Sequence, residues 1–434
     1  MSDRYVVAGL GRARADWFAR VSGWATAASI PVEFVRCVSA AELRARLASG
    51  RRFSAILVEG GVTGVDRDLL LLAREAGAAA IVVATEGARD WLELGAASIL
   101  PEGFDRDAFV EALAAVSEPV SAVADTADPT GPVGAPTGAR GRLVAVTGAG
   151  GVGASTVAIA LAQGFAAGAT GGDDVLLADL CRVADQAMLH DSKVVVPGVQ
   201  ELVEAHRTLT PDRADIQELT FRVPARGYRL LLGLRRPRHW VALRPRALEA
   251  AMASLTRTFP TVVVDVEADL DGEAETGSLD LEERNLPARL AVARADAVVV
   301  VGEPSMKGVF ALVRVVADLL AFGVPQDRVV VVVNRGPKRA RQRAEITRAI
   351  SALLETQVSG GGLATPVFLP ERRVEQALRD GVALPDPLPT TLATAVEAVV
   401  SRAAAPVDAV AAPVPVAPGS LGALGGYDDE EDIA

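Results

Sequence analysis

The segment "RLVAVTGAGGVGASTVAIALAQ" at residues 142–163 decides the fold of the larger part of the chain. A short apolar run of strand length comes first, a glycine-rich turn follows, and an alanine-rich stretch of helical character comes last. The signature G-x-x-x-x-G-K-[ST] requires this context, because strand, loop and helix together place backbone N–H groups at a helix amino terminus. We therefore predict a phosphate-binding loop near the start of an α/β domain.

The glycine-rich turn has most features of such a loop but lacks its lysine. Ser155 stands where a hydroxyl would meet Mg²⁺, and Ala154 stands where the signature has lysine. A turn made for packing alone is the alternative, but it does not explain the Ser-Thr pair in this register. The residues that we expect to bind a nucleotide here are Gly148, Ala149, Gly150, Gly151, Val152, Gly153, Ala154, Ser155 and Thr156.

Strand-like and helix-like segments alternate after this loop. The predicted strands are "RLVAVT" (142–147), "DVLLADL" (174–180), "YRLLLGL" (228–234), "TVVVDVE" (261–267), "AVVVVGE" (297–303), "VVVVVN" (329–334) and "TPVFLP" (365–370). Continuous Val/Leu runs are typical of parallel strands that helices cover on both faces. The pattern predicts a doubly wound α/β domain over residues 142–403.

A second alternating block occupies residues 1–118. Its predicted strands, with helices between them, are "YVVAGL" (5–10), "VEFVRCV" (32–38), "AILVEG" (55–60), "AIVVAT" (80–85) and "AASIL" (96–100), and we expect a flavodoxin-like strand order. Residues 119–141 are rich in Pro, Gly, Ala and Thr, which predicts a flexible linker. Residues 404–434 are Pro/Ala/Gly-rich and acid-ended, which predicts a disordered tail. The fold class is thus two doubly wound parallel-sheet domains.

The amino-acid composition favours a protein of packed domains over a nucleic-acid-binding or membrane-spanning protein. Half of the 434 residues are apolar and the net charge is −11, which favours packed domains and opposes sequence-wide attraction to DNA or anionic lipid. Apolar runs are only strand-sized and the amino terminus lacks an export signal, so we expect a cytoplasmic location. Cys37 and Cys181 are expected to be reduced buried thiols, and the three histidines have no ligand-like spacing.

The first block resembles the receiver domain of two-component response regulators, over roughly residues 1–118. The strand endings, the helix pattern and the phrase "GAASILPEGFDRDAFVEAL" (95–113) carry this resemblance. A working receiver uses clustered carboxylates for Mg²⁺, an aspartate as phosphoryl acceptor and a lysine on the phosphate. Here Glu59 stands at the acceptor position, Glu102 stands where the lysine belongs, and only Thr85 fits. The resemblance implies a pseudo-receiver used for binding or dimerisation; a phosphorylated switch and a partnerless spacer are the alternatives.

The larger block resembles the ParA/MinD family of P-loop ATPases over about residues 142–400. That family has the loop K-G-G-x-G-K-[ST]. Within it, the motif "GGVGAST" and the receiver-like first domain are most similar to the CpaE/TadZ group and the septum-site-determining proteins. Ala149 replaces the lysine that reaches across a dimer, and Ala154 replaces the lysine on the β and γ phosphates. The resemblance implies a homodimer, weakly bound ATP and slow or absent hydrolysis, because removing one such donor typically costs on the order of 3 kcal/mol.

Three further residues of this chain stand at positions of the family's motifs. Asp179 matches the first aspartate of a D-x-D pattern, while the second, which orients the attacking water, falls on Cys181. Asp265 matches an acidic residue that supports Mg²⁺ through water. An aspartate that ends a strand often only forms a turn, but two at equivalent strand ends favour a site. Ser155, Asp179 and Asp265 are thus the predicted Mg²⁺ ligands, and the two aspartates are the only catalytic candidates.

Two later segments complete the predicted nucleotide site. Asn334 and Arg335 end "VVVVVNR", where the family places an asparagine that reads the adenine edge. The segment "FLPERR" (368–373) resembles the loop that closes over the base, with Pro370 and Glu371 as candidate contacts. The order of all these features along the chain matches the family throughout.

Surface charge bears on the partners of the chain. The basic segments "LRRPRHWVALRPRAL" (234–248) and "NRGPKRARQRAEITR" (334–348) predict solvated helix faces, with a nonspecific DNA face as the alternative. MinD proteins carry a basic amphipathic helix at the carboxyl terminus, whereas this chain has a proline-broken, acid-ended tail there, so we expect no direct membrane anchor. A polar or septal location is expected to come through protein partners, with the acidic tail as one candidate contact.

These features together predict a cytoplasmic positioning protein of the CpaE/TadZ/MinD type. We expect it to bind ATP weakly, to dimerise through its nucleotide face, and to localise a pilus-secretion or septum-site machinery. The nucleotide would favour the dimer rather than be turned over. The alternatives are a nucleotide-free scaffold and an active ATPase in which Arg235, Arg236 or Lys307 replaces the lysines.

Overall fold

The structure, a computed structural model, describes residues 4–12, 15–27, 29–49, 51–85, 89–120, 140–169, 173–355 and 364–404. These residues form two sheets, one of five strands and one of eight. We call the part with the five-stranded sheet the smaller domain and the part with the eight-stranded sheet the larger domain. Most of the predicted linker, residues 121–139, and the predicted tail after Ala404 lie outside the described residues.

The smaller domain has the predicted flavodoxin-like order, β2-β1-β3-β4-β5, with all neighbours parallel. Its strands are β1 (Tyr5–Leu10), β2 (Val32–Cys37), β3 (Ala55–Glu59), β4 (Ala79–Val83) and β5 (Ser98–Leu100). Its helices are α1 (Asp16–Thr26), α2 (Ala40–Ala48), α3 (Arg67–Glu75) and α4 (Arg106–Val116). The expected helix between β4 and β5 is absent from the described residues there, where 91–95 form a turn that ends at Gly95 with φ +111°.

The larger domain has the strand order β13-β12-β11-β6-β10-β7-β9-β8. The strands are β6 (Arg142–Gly148), β7 (Val175–Asp179), β8 (Phe221–Val223), β9 (Tyr228–Leu231), β10 (Thr261–Asp265), β11 (Ala297–Gly302), β12 (Val329–Gly336) and β13 (Val367–Pro370). All neighbours are parallel except β8, which pairs antiparallel with β9. The short edge strand β8 was not predicted; it forms a hairpin with β9 through a turn that contains Gly227 at φ +78°.

Helices cover both faces of the larger sheet. They are α5 (Ala154–Gly168), α6 (Gln186–Leu189), α7 (Val199–Thr208), α8 (Arg213–Glu218), α9 (Pro245–Thr258), α10 (Glu273–Thr276), α11 (Leu279–Arg294), α12 (Met306–Phe322), α13 (Ala340–Glu355), α14 (Glu375–Arg379) and α15 (Leu388–Ala404), with 3-10 turns at Pro237–Ala242 and Gln326–Arg328. Helices α5 and α15 pack on one face, and α7, α9, α11, α12 and α13 pack on the other. Central strands such as β11 are therefore buried along their whole length, as predicted. No helix of the described residues combines the length and the apolarity needed to cross a membrane.

The topology places the end of β6 at a switch point of the sheet. From β6 the chain crosses toward β7 on one side, and it later returns to β11 on the other side. The helix after β6 therefore begins where the connections diverge, and in open α/β sheets ligands bind in this crevice. The predicted phosphate-binding loop lies at this position.

The two domains contact each other through α3 of the smaller domain and through α7 and α9 of the larger one. Arg67 Nε donates a hydrogen bond to the His206 carbonyl at 3.0 Å, and Arg207 Nη2 lies 2.8 Å from Asp66 Oδ2. The ends of the predicted linker are also attached, because Val120 pairs with Arg4 and Arg140 lies 2.7 Å from Asp296. Residues at both ends of the predicted linker thus contact the domains that they join.

Candidate nucleotide-binding site

The loop between β6 and α5 presents backbone amides rather than long side chains. Gly151 and Gly153 have φ values of +85° and +90°, which side-chain-bearing residues rarely adopt. A Cβ on Gly148 would lie 2.5 Å from the carbonyl oxygen of Val301. Helix α5 has 15 residues and begins at Ala154 with no side-chain cap. The backbone N–H groups of its first turn are therefore available to bind a ligand. Such a loop is built to hold an anion.

The loop opens onto a cavity of about 910 Å³. Eight of the nine predicted loop residues line it, whereas Val152 is buried beneath them. The remaining walls come from the segments that follow β7 and β10 and from the carboxyl-terminal half of α12. The predicted loop residues thus form the floor of this cavity, and their binding of a nucleotide stays a prediction. The wall from α12 had no signal in the sequence, because no motif marks that helix.

The walls of this cavity are acidic. Seven carboxylates and one guanidinium, Arg314, line it; the acids are Asp185, Asp265, Glu267, Asp269, Asp271, Glu275 and Asp318. No lysine is among the lining residues, and Ala149 and Ala154 bring only methyl groups to the loop. A polyanion in this cavity therefore meets amide dipoles on the floor and like charge on the walls, which raises the need for a divalent cation.

Two buried carboxylates and one thiol lie together beside the loop. Ligand atoms of Asp179, Cys181 and Asp265 are all within 4.8 Å of one another. The carboxylate of Asp179 accepts hydrogen bonds from the backbone N–H of Cys181 at 3.1 Å and of Gln186 at 3.0 Å. Burial, and then the charge of Asp265, raises the pKa of Asp179; burial also raises the pKa values of Asp265 and Cys181.

Gln186 completes this cluster, although no sequence pattern marked it. Its Nε2 donates to Asp265 Oδ2 at 2.7 Å, and its Oε1 is buried without a hydrogen-bond partner among the described residues. The Ser155 hydroxyl also donates to Asp265. The predicted group Ser155, Asp179 and Asp265 is thus brought together, with the Asp179 side chain fully buried behind the cavity wall. Hard oxygen donors beside a phosphate cradle fit Mg²⁺; the thiol of Cys181 does not.

The predicted base-contacting residues lie outside the cavity lining. Asn334 donates from Nδ2 to the Val152 carbonyl at 2.9 Å, so this side chain braces the loop from below. Arg335 Nη1 lies 3.7 Å from Glu303 Oε2. Pro370 ends β13 and Glu371 follows it, and neither lines the cavity. Their contacts with a base stay predictions.

The candidate acceptor position of the smaller domain is neutralised by an arginine. Glu59 is buried at the end of β3, and its Oε2 accepts the backbone N–H of Arg12 at 2.7 Å. The guanidinium of Arg12 also pairs with Glu59 Oε1, and it lies 3.8 Å from Glu102. Thr85 is exposed beyond β4. A fixed guanidinium therefore occupies the place beside this carboxylate that a cation would need.

Comparisons with known proteins give matches among solved structures. The chain matches no protein-family model, and the search of curated proteins gave no match. A ParA family ATPase from Chlorobium tepidum TLS is 16% identical, with 60% of this chain and 98% of that one covered and a TM-score of 0.42. A putative plasmid partition protein from Borrelia burgdorferi B31, bound to AMPPNP, is 15% identical, with coverage of 61% and 99% and a TM-score of 0.42. The cell division ATPase MinD of Pyrococcus furiosus is 18% identical, with coverage of 60% and 99% and a TM-score of 0.42. At these scores none of them assigns a family or a function to this chain.

Proposed function

We propose that the larger domain binds Mg-ATP weakly, through backbone amides and a cation held near Ser155, Asp179 and Asp265, and hydrolyses it slowly or not at all. The observation that supports this proposal is the loop at residues 148–156, which offers free amides to a cavity large enough for a nucleotide. The absence of both lysines lowers affinity, because each charge-assisted hydrogen bond typically contributes about 1.5–3 kcal/mol. Losing two corresponds to binding weaker by on the order of 10³-fold.

The proposed biological role is that of a cytoplasmic spatial regulator. The resemblance to the CpaE/TadZ group and to septum-site-determining proteins supports a homodimer that is favoured by the nucleotide and that localises a pilus-secretion or division machinery. The pseudo-receiver, with Arg12 on Glu59, would serve as a binding module. A fluorescent fusion tests this role in cells: polar foci that depend on the pilus-secretion genes, or a band at the division site, support it. Diffuse fluorescence would contradict it.

The acidic cavity walls favour a second candidate, a nucleotide-free scaffold. Seven carboxylates against one arginine repel a triphosphate unless Mg²⁺ offsets them. In this case the loop keeps its shape because Asn334 and the β6–α5 packing hold it, and the dimer forms by packing alone. The active-ATPase alternative has less support, since Arg235, Arg236 and Lys307 do not line the cavity.

Calorimetric titration with Mg-ATP, combined with a phosphate-release assay, separates these functions. Binding without turnover supports the proposal, no binding at millimolar ATP supports the scaffold, and turnover supports the ATPase. Gly153→Ala should abolish binding, because a Cβ there would lie 2.6 Å from Asn334 Nδ2 and φ is +90°. Gly168→Ala, at the far end of α5 and outside the cavity lining, is the matched control, because a Cβ at Gly168 meets no atom within 4 Å.

Restoring a lysine gives the complementary test. Ala154→Lys should tighten ATP binding by about 10- to 100-fold, since one ammonium–phosphate contact is regained. Ala154→Met, of similar length without charge, should leave affinity unchanged. Equal affinities of the two variants would show that no phosphate lies on this loop.

A further inference from the structure

An apolar groove of about 620 Å³ runs between α12 and α13. Two large apolar side chains at its edge face solvent: Met306 is 91% exposed and Phe310 is 55% exposed. Ile346 and Ala349 of α13 form the opposite wall. A contiguous exposed apolar surface of this kind marks an interaction site rather than an ordinary solvated face.

The chain segment beside this groove, residues 334–348, is basic and forms what we call its rim, whereas the charged residue in the groove lining itself is Glu345. Residues 334–348 contain six basic side chains and one acidic one, Glu345, which pairs with Arg341 at 3.1 Å. Arg343 and Arg348 donate to backbone carbonyls of their own region. Among the described residues, Lys338, Arg339, Arg343 and Arg348 have no carboxylate partner. The rim thus carries positive charge that nothing in the described part of the chain neutralises.

The carboxyl-terminal segment of the same chain has the complementary chemistry. Residues 421–434 read "LGALGGYDDEEDIA", in which 428–432 are five consecutive acids and Leu421, Leu424 and Ile433 are apolar. Residues 405–434 contain no lysine, arginine or histidine. An apolar groove with a basic rim and an apolar segment with an acidic run therefore match in both charge and polarity.

The segment is tethered to α15, which packs on the sheet face opposite to α12 and α13, so the tether has to pass around the β13 edge of the sheet to reach the groove. Twenty-four peptide units separate Ala404, the last residue of α15, from Asp428. A flexible chain of this length has an end-to-end distance of roughly 27 Å, about the length of a 16-residue helix such as α13. Tethering gives an effective concentration near the millimolar range, so even weak docking is populated.

We propose that residues 421–434 dock intramolecularly in the groove between α12 and α13, with the acidic run on the basic rim. This inference does not depend on nucleotide binding. The end of β12 and its connection to α13 link the groove to the candidate nucleotide-binding site. Asn334 braces the phosphate-binding loop, and Pro337 lines the groove. The basic segment then serves the chain itself rather than duplex DNA.

Zero-length carbodiimide cross-linking of the full chain tests the proposal. The chain has only three lysines, and all three are exposed: Lys307 and Lys338 adjoin the groove, whereas Lys193 follows α6 and serves as an internal control. We expect cross-links from the carboxylates of 428–432 to Lys307 or Lys338 within one chain, with a yield that falls severalfold at high salt. Equal linkage to Lys193, linkage between chains, or no tail cross-link would overturn the proposal.

A variant that keeps every lysine and carboxylate isolates the apolar part of the contact. Phe310→Ser should reduce the tail cross-links severalfold, whereas Leu92→Ser in the smaller domain, also 55% exposed, should not. Circular dichroism checks that both variants are folded. An unchanged yield in Phe310→Ser contradicts docking in the groove.

Binding to duplex DNA tests whether the tail covers the basic rim. A chain with a neutral tail (Asp428→Asn, Asp429→Asn, Glu430→Gln, Glu431→Gln and Asp432→Asn) should show an exposed basic rim and should bind random duplex more tightly than the wild type does. Equal, salt-dependent DNA binding by both chains would mean that the tail does not cover the rim.

Discussion

At the residue scale, a few side chains determine which reactions and ligands the candidate sites could support, while the backbone around them has the shape of such sites. Ala154 and Ala149 bring only methyl groups to the cavity at the two loop positions where the resemblance implies ammonium groups. Cys181 lies beside Asp179 and Asp265, and burial and the neighbouring acids raise its pKa, so it stays a neutral thiol. In the smaller domain, Arg12 neutralises Glu59. At each of these three candidate sites, one or two side chains thus determine the chemistry that the site offers.

The Arg12–Glu59 pair predicts that the smaller domain does not accept a phosphoryl group. A small phosphodonor such as acetyl phosphate should leave the mass of the intact chain unchanged, because the described residues form no metal-ligand cluster beside Glu59 and a guanidinium already pairs with its oxygens. A working response regulator, which gains a phosphoryl group under the same conditions, is the control. Detection of a modified Glu59 by peptide mass spectrometry would contradict this prediction.

At the element scale, close helix contact fixes the layer behind the loop. Helix α15 packs along α5, the helix that begins at the phosphate-binding loop. A Cβ on Gly164 would lie 2.3 Å from the Pro389 carbonyl oxygen, so the two helices approach at this glycine. The side chain of Gln163 also exchanges hydrogen bonds with the backbone of Leu384 at 2.8 and 3.0 Å.

This contact predicts opposite effects for two neighbouring glycines of α5. Gly164→Ala should lower the free energy of unfolding by about 1–3 kcal/mol, because the added methyl group forces α15 away. Gly168→Ala, where a Cβ meets no atom within 4 Å, should be neutral or stabilising by up to about 1 kcal/mol. Urea unfolding followed by far-ultraviolet circular dichroism measures both; equal effects would contradict the packing.

At the scale of the whole molecule, a charged contact joins the two domains. Asp66, with a side chain only 3% exposed, lies between Arg44 of its own domain and Arg207 of α7, at 3.0 and 2.8 Å. Asp68 accepts the backbone N–H of Arg246 at the start of α9. Burial raises the pKa of Asp68. The contact between the domains thus includes the buried carboxylate of Asp66, which pairs with one arginine from each domain.

Arg207→Glu should separate the domains. The substitution removes a partner of a buried carboxylate and adds like charge beside it, at a cost of roughly 3 kcal/mol. We expect a larger radius of gyration in small-angle X-ray scattering and faster proteolysis between the domains. Arg213→Glu on α8, an exposed position, is the control of equal charge change. An unchanged radius for Arg207→Glu would contradict the ionic docking.

His206 at the same contact predicts a pH dependence of stability. Its Nδ1 bonds to the Leu202 carbonyl, its Nε2 is buried without a partner among the described residues, and Arg67 of α3 and Arg257 of α9 face it. Burial, with help from the two arginines, lowers the pKa of His206 to about 4. Since the folded pKa lies below the unfolded value, this stability is fully present above pH 6.5 and is lost as the pH falls toward 4.

Protonation of His206 should lower the free energy of unfolding by on the order of 3 kcal/mol between pH 7.5 and pH 4. His206→Gln should remove this part of the pH dependence, and His239→Gln, in the 3-10 turn Pro237–Ala242, should retain it. Unfolding free energies at several pH values between 4 and 7.5 test it. Identical pH profiles for the wild type and His206→Gln would show that the imidazole is not buried as described.

The sequence by itself determined the parallel strands of both sheets and the loop at the end of β6, but not the antiparallel edge strand β8. Periodic Val and Leu runs, and a glycine-rich turn in one register, are local patterns, and local patterns suffice to place strands and a strand–loop–helix unit. The charge of the cavity walls, the bracing role of Asn334, the position of Gln186 and the contact of α3 with α7 came only from the tertiary structure. These features join residues tens to hundreds of positions apart, and no local pattern specifies which side chains meet when separate strands end at one edge of a sheet.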